Sequence, residues 1–132
     1  MIKRGRKKLA NACANIVILV DNLERVYPGD FNILKTIRGQ EEQDRLFREN
    51  ATHVQYPHSK HYSNPSKAID MAPVEVDGKL NWKNLELFAH FSGYVLAVAK
   101  MKNIKVRWGR DWDRDGDLDD QTFNDYPHFE IV

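Results

Sequence analysis

The chain has a single cysteine, Cys13, so no internal disulfide can staple it and its fold does not depend on an oxidising compartment. It lacks any run of about 20 apolar residues, which excludes a helical membrane span and stable membrane insertion by that route. It also lacks net charge. Twenty basic against 19 acidic residues leave +1, which argues against a nucleic-acid partner recruited by bulk charge. Internal repeats, linkers and low-complexity stretches are missing too, so nothing divides the 132 residues into parts. A chain of this length fits one domain and buries roughly two-thirds of its unfolded surface without cross-links. A single domain over residues 1–132, acting as a monomer, is the expectation.

The N-terminus imitates a secretory leader, because five of the first eight residues are basic and Leu9 to Val20 is mostly apolar. Asn11 and Asn15 interrupt that stretch, and no small-x-small site follows Val20. Leu9, Cys13, Ile16, Val20, Leu23 and Tyr27 instead fall at helical spacing. One helix over about residues 7–26 accounts for them, with no signal peptide and with Cys13 as a small buried apolar side chain. The basic residues before it read as a solvated tail, or as a segment attracted to anionic surfaces.

Pro28-Gly29-Asp30 ends that helix, and Phe31 to Ile37 reads as a strand. Gln40 to Glu49 has helical propensity. From Ala51 to Pro65, three histidines, two prolines, Asn and Ser follow no period, which marks a functional loop. Ala68 to Ala72 is a short apolar strand stopped by Pro73. Asp77-Gly78 signals a turn in a small hairpin or an irregular excursion. Leu87, Phe91, Tyr94, Val98 and Met101 recur at three- and four-residue intervals, which predicts a central core helix over 84–102. Ile104, Val106 and Trp108 alternate as a half-buried strand, and Pro127 to Val132 alternates again, with His128 and Glu130 on the face opposite Phe129 and Ile131. The pattern predicts an α+β domain with helices packed on a small antiparallel sheet.

The side chains that suit chemistry are His61, Asp70 and His128. Two imidazoles and one carboxylate match the donor preference of zinc, and three protein ligands leave a fourth position open, as a catalytic site requires. Such an ion makes a nucleophile from water at neutral pH and polarises a carbonyl. Asp125 stands three residues before His128. If the segment enters a strand through a turn, that offset places a carboxylate base beside the ion rather than on it. His53 and His58 lie in the same loop and are alternative ligands to His61, whereas His90, on the long helix, reads as a surface residue.

These residues sit in three separated motifs: Ser59-Lys60-His61 with Pro65 to Pro73, Trp108-Gly109-Arg110-Asp111-Trp112, and Asp125-Tyr126-Pro127-His128-Phe129-Glu130. In this order, from roughly Phe31 to the C-terminus, the chain resembles the VanY-like zinc peptidases that cut peptidoglycan, and within them the phage-type L-alanyl-D-glutamate endopeptidases. The resemblance implies a hedgehog/D-Ala-D-Ala-peptidase-like fold, with His61, Asp70 and His128 holding Zn2+ and Asp125 as general base. It also implies that Arg38, followed by Gln43 as in the family's Arg-x-x-x-x-Gln element, holds the substrate carbonyl or the oxyanion. Ser59 and Trp112 become substrate contacts, although Trp112 suits a cap on the core equally well. The sequence departs from the family pattern at Gly39, at Arg110 and in the longer interval between His61 and Asp70.

Asp111 to Asp120 packs six carboxylates around Arg114. Asp111, Asp113, Asp115 and Gly116 match positions 1, 3, 5 and 6 of a calcium loop, with Asp119 at position 9. Thr122 occupies position 12, where a bidentate glutamate belongs, and no helix pair frames the segment. Ca2+ binding and a solvated acidic loop both remain open.

The function implied is hydrolysis of the peptidoglycan stem peptide, at the L-Ala-D-Glu bond, by a phage or prophage endolysin. Such an enzyme accumulates in the host cytoplasm and reaches the cell wall with the help of a membrane-permeabilising partner. The alternatives are a D-Ala-D-Ala carboxypeptidase or dipeptidase with the same zinc chemistry, and a non-catalytic metal-binding module. A module of that last kind has no need of a base at 125 or a donor at 38.

Overall fold

The computed structural model describes residues 1–36, 65–111, 113–119 and 124–132. The strands are β1 (Ile2–Arg4), β2 (Phe31–Lys35), β3 (Ala68–Pro73), β4 (Val106–Gly109) and β5 (Asp125–Ile131). They form one sheet in the order β1-β2-β3-β5-β4. Helices α1 (Ala14–Val26) and α2 (Leu85–Met101) cover one face. The α+β expectation holds, but the sheet is mixed, because β1 runs parallel to β2 while the other three pairs are antiparallel.

Period-two alternation sorts the strand residues. Phe31, Ile33, Ile69, Met71, Val106, Trp108 and Phe129 turn inward against Leu19, Val20 and Leu23 of α1 and Phe91, Val95 and Val98 of α2. Tyr27, just past α1, closes the end of this core with its ring centroid 5.0 Å from Phe91 and 5.3 Å from Tyr94, both edge-on. α2 matches the expected span. The Asn84 side chain caps it by accepting from the Leu87 N–H at 3.1 Å, and Asn103 in the left-handed region ends it. Met101, expected in the stripe, is 67% exposed, because Val98 and Ala99 already fill the last buried turn.

The helix expected over 7–26 is two pieces. A 3-10 helix covers Arg6–Asn11, and α1 begins only after Cys13, which is extended. Tertiary pairing breaks it: the Ser66 N–H donates to the Asn11 carbonyl at 2.7 Å, and the Cys13 N–H donates to the Ser66 carbonyl at 2.9 Å. Those bonds to a distant segment replace the intrahelical ladder. Cys13 is half-buried at the break and packs against the core, where full burial was expected. Ser66 itself is fully buried, and its hydroxyl lies 2.7 Å from the Thr36 carbonyl oxygen, which anchors the start of β3. The Asp77-Gly78 turn forms, with Gly78 at φ 85, but no strands flank it. The segment Gln40 to Glu49 and the loop up to Asn64 lie outside the described residues.

The basic N-terminus is an edge strand rather than a solvated tail. Glu24 on α1 accepts the Ile2 N–H at 3.0 Å and two bonds from Arg6 at 2.6 and 2.7 Å. Gly5 makes the turn between β1 and the 3-10 helix at φ +93, with the Ile33 carbonyl oxygen where a Cβ would sit.

The Ile2 N–H and then Arg6 hold the Glu24 carboxyl below its ordinary value of 4.5. A depressed carboxylate adds stability above pH 4.5 that is lost as pH falls through the folded value. Glu24→Gln should therefore cost about 1.5–3 kcal/mol near neutral pH, the usual range for a charged hydrogen-bond partner. The same variant should flatten the acid side of the stability curve, as measured by denaturant midpoints between pH 3 and 7.

Candidate metal centre

The outer face of β3 and β5 carries the site. Asp70 pairs directly with His128 across the two strands, and Ala68 pairs with Glu130. Because Ile69 and Phe129 are committed to the core, Asp70 and His128 must point the other way. Candidate ligand atoms of Asp70, Asp125 and His128 all lie within 4.8 Å of one another. One nitrogen and two carboxylate oxygens so close together fit a divalent cation that takes nitrogen and oxygen donors.

Asp125 reaches this group through an irregularity in the β4/β5 ladder. Trp108 pairs with Phe129, yet the next residue, Gly109, pairs with Asp125. The register skips Tyr126, Pro127 and His128, so both Asp125 and His128 reach the same site. The sequence suggested a turn at this point; the structure has a bulged strand. Pro127 suits it, since a bulge needs no ladder N–H from that residue. Gly109 is required by contact: a Cβ there would stand 2.2 Å from the Asp125 carbonyl oxygen. Trp108 Nε1 donates to the Tyr126 carbonyl at 2.8 Å and Arg110 Nε to the Tyr126 hydroxyl at 3.0 Å, which hold the bulge from both sides.

His128 is 7% exposed and stands between carboxylates. Its Nδ1 lies 3.3 Å from Asp70 Oδ1 and its Nε2 lies 2.7 Å from Glu130 Oε1. Burial by itself lowers the His128 pKa. The hydrogen bonds to Asp70 and Glu130 and the charges of Asp70 and Asp125 outweigh it and raise the value from 6.5 to about 9. The site therefore favours positive charge.

Of the residues expected at the site, Asp70, Asp125 and His128 are brought together. His61, Arg38 and Ser59, the alternative ligands His53 and His58, and Trp112 lie outside the described residues. His90 is exposed on α2, with its ring against Tyr27 and Tyr94, as expected of a surface residue. Sequence reasoning gave Glu130 no role at the site. Its only signal was the alternation that put it on the face of His128.

In the acidic segment, carboxylate oxygens of Asp111, Asp113 and Asp115 also lie within 4.8 Å of one another. Asp119 does not belong to that group. Its N–H is turned onto Asp117 Oδ1 at 2.9 Å in one of several local side-chain-to-backbone turns. One oxygen of Asp111 accepts from the Gly116 N–H at 3.0 Å, while the other is buried with no hydrogen-bond partner among the described residues. Arg110 donates to the Leu118 carbonyl as well as to Tyr126, tying this segment to β5.

The sequence profile of a family described as phage L-alanyl-D-glutamate peptidase matches residues 1–132. The L-alanyl-D-glutamate peptidase of Escherichia phage T5 is 29% identical over 134 residues, covering 98% of this chain and 96% of that protein. The crystal structure of the Serratia marcescens L-Ala D-Glu endopeptidase ChiX superposes with a TM-score of 0.80 over 100% of this chain and 90% of that one. At 20% identity that likeness is one of fold.

A histidine whose folded pKa is raised adds stability that is fully present below 6.5 and lost as pH rises through about 9. Thermal melts of the metal-stripped protein should therefore show a falling Tm between pH 6.5 and about 9. His128→Gln should remove most of that slope, and an unchanged slope would count against an imidazolium held between carboxylates.

Proposed function

We propose, since the chain belongs to the phage L-alanyl-D-glutamate peptidase family, that it is a zinc-dependent endopeptidase acting on the L-Ala-D-Glu bond of the peptidoglycan stem peptide. The observation that carries this reading is the convergence of Asp70, Asp125 and His128 on one face of the β3/β5 pair. A binding surface has no use for a spare carboxylate at that distance, whereas hydrolysis needs one as a base.

Asp70 and His128, with His61, would hold the ion. Zinc, when bound there, supplies the Lewis acidity that polarises the scissile carbonyl and makes an attacking water more acidic. Asp125 takes the proton from the attacking water as its oxygen bonds to the carbonyl carbon, and passes it to the amine of D-Glu as the C–N bond breaks. Arg38 donates to the oxyanion that forms on the carbonyl oxygen, a contribution of about 3 kcal/mol for a preorganised donor. Ser59 and Trp112 line the substrate side. Residues 1–132 act as one catalytic domain and as a monomer.

The biological setting that follows is that of an endolysin, made in the host cytoplasm and acting on the wall once a partner has permeabilised the membrane. Among the described residues no helix is long and apolar enough to cross a membrane itself.

Calcium is the second ion in this reading. Asp111, Asp113 and Asp115 supply the oxygens, and Gly116 at φ 82 makes the sharp turn expected at position 6. The unpartnered Asp111 oxygen is costly without a cation. Through Arg110, ordering of this segment would bear on Tyr126 and hence on Asp125.

Digestion of purified peptidoglycan, read by mass spectrometry, should release stem peptides beginning at D-Glu, and a zinc chelator should abolish the release. Asp125→Ala should lower the rate by about 10² to 10⁴-fold, the usual worth of a general base, and Arg38→Ala by about 10²-fold. Loss of terminal D-Ala instead would make the protein a carboxypeptidase. No products from folded, zinc-loaded protein would make it a non-catalytic module.

Calcium titration should raise both Tm and activity in the wild-type protein and do neither in Asp111→Asn. If wild type shows neither rise, the segment is a solvated acidic loop.

A further inference from the structure

His128 presents two ring nitrogens, and the ion can use only one. Nδ1 faces Asp70, which belongs with Asp125 and His128 to the group of candidate ligand residues. Nε2 faces Glu130, 2.7 Å away and on the same strand. A neutral imidazole has one N–H and one lone pair, so the partner of one nitrogen decides what the other offers. A carboxylate only accepts. Both nitrogens face a carboxylate, so the contact lengths decide: Glu130 at 2.7 Å from Nε2, against Asp70 at 3.3 Å from Nδ1, holds the proton on Nε2 and leaves the Nδ1 lone pair directed at the Asp70 side.

Glu130 is itself held. It is 8% exposed and paired across the sheet with both Ala68 and Arg107. The Arg107 guanidinium approaches its other oxygen at 3.9 Å. That contact and the pairing to β4 seat the Glu130 carboxyl beside Nε2. Glu130 does not belong to the group of candidate ligand residues, so it acts through His128 and not on the metal or substrate.

We propose that Glu130, seated by Arg107, is the positioning residue that selects the Nε2–H tautomer of His128 and thereby makes Nδ1 the metal-binding atom. The inference rests on the zinc reading of the site. Residues that orient a ligating histidine in this way typically change metal affinity by about 10 to 100-fold when removed.

The test is zinc affinity of the full chain by competition with a chromophoric chelator, alongside long-range 1H–15N spectra of the His128 ring in the zinc-loaded protein. Glu130→Ala should bind zinc about 10 to 100-fold more weakly. Glu130→Gln, whose amide oxygen still accepts from Nε2–H, should recover most of that loss. Wild-type spectra should show the proton on Nε2, a readout that stands even if Glu130→Ala does not fold. A proton on Nδ1, wild-type zinc affinity in folded Glu130→Ala, or a loss in Glu130→Gln as large as in Glu130→Ala would each overturn the assignment. Failure of the wild-type protein to bind zinc would be a different result, since it removes the zinc reading itself and Glu130's role with it.

Discussion

The pairing of β3 with β5 is the constraint on which the rest depends. Ile69 and Phe129 face each other on one side of the ladder and lie fully buried in the core, while Asp70 and His128 face each other on the other side. A slip of one residue would expose the apolar pair and bury the polar one, at a cost of several side chains' worth of hydrophobic free energy. Burial of Phe129 against Phe91, 6.3 Å away edge-on, is thus what aims His128. Core formation and site formation are one event.

Asp125 is brought in by different means. A regular β4/β5 ladder would not bring it level with Gly109 once Trp108 has paired with Phe129. The three skipped residues make that placement possible, and two local chemical facts permit the skip. Pro127 needs no hydrogen bond, and Gly109 leaves room for the Asp125 carbonyl. Tyr126, inside the irregularity, is then gripped by Trp108 and Arg110, and Arg110 reaches on to the acidic segment. Bulges next to active sites commonly re-aim a side chain in this way.

Electrostatics accompany the geometry. Three carboxylates around one buried imidazole favour positive charge among them, such as a proton on His128 or a cation in its place. Binding a cation there must therefore displace that proton, which ties metal affinity to pH. Arg107, on the outer edge strand, provides a permanent counter-charge beside Glu130. The two ends of the imidazole thus meet carboxylates in different settings, Asp70 among the candidate ligand residues and Glu130 beside an arginine.

Much of this was legible in the chain itself. Alternation in 127–132 put His128 opposite Phe129, the three- and four-residue spacing of 87–101 marked the core helix, and the His/Asp/His motifs in order pointed to the family and its chemistry. Local periodicity survives folding when the element is long or one face is fully buried, and these elements meet that condition. What only the tertiary structure decided depends on partners distant in sequence. The helix over 7–26 breaks because Ser66 captures the backbone of Asn11 and Cys13. The basic N-terminus becomes a strand because Glu24 and β2 accept it. The tautomer-setting contact of Glu130 needs the β4 arginine as well as its own strand. A sequence specifies which faces are apolar, but which backbone groups find one another across 20 to 60 residues is settled only when those faces pack.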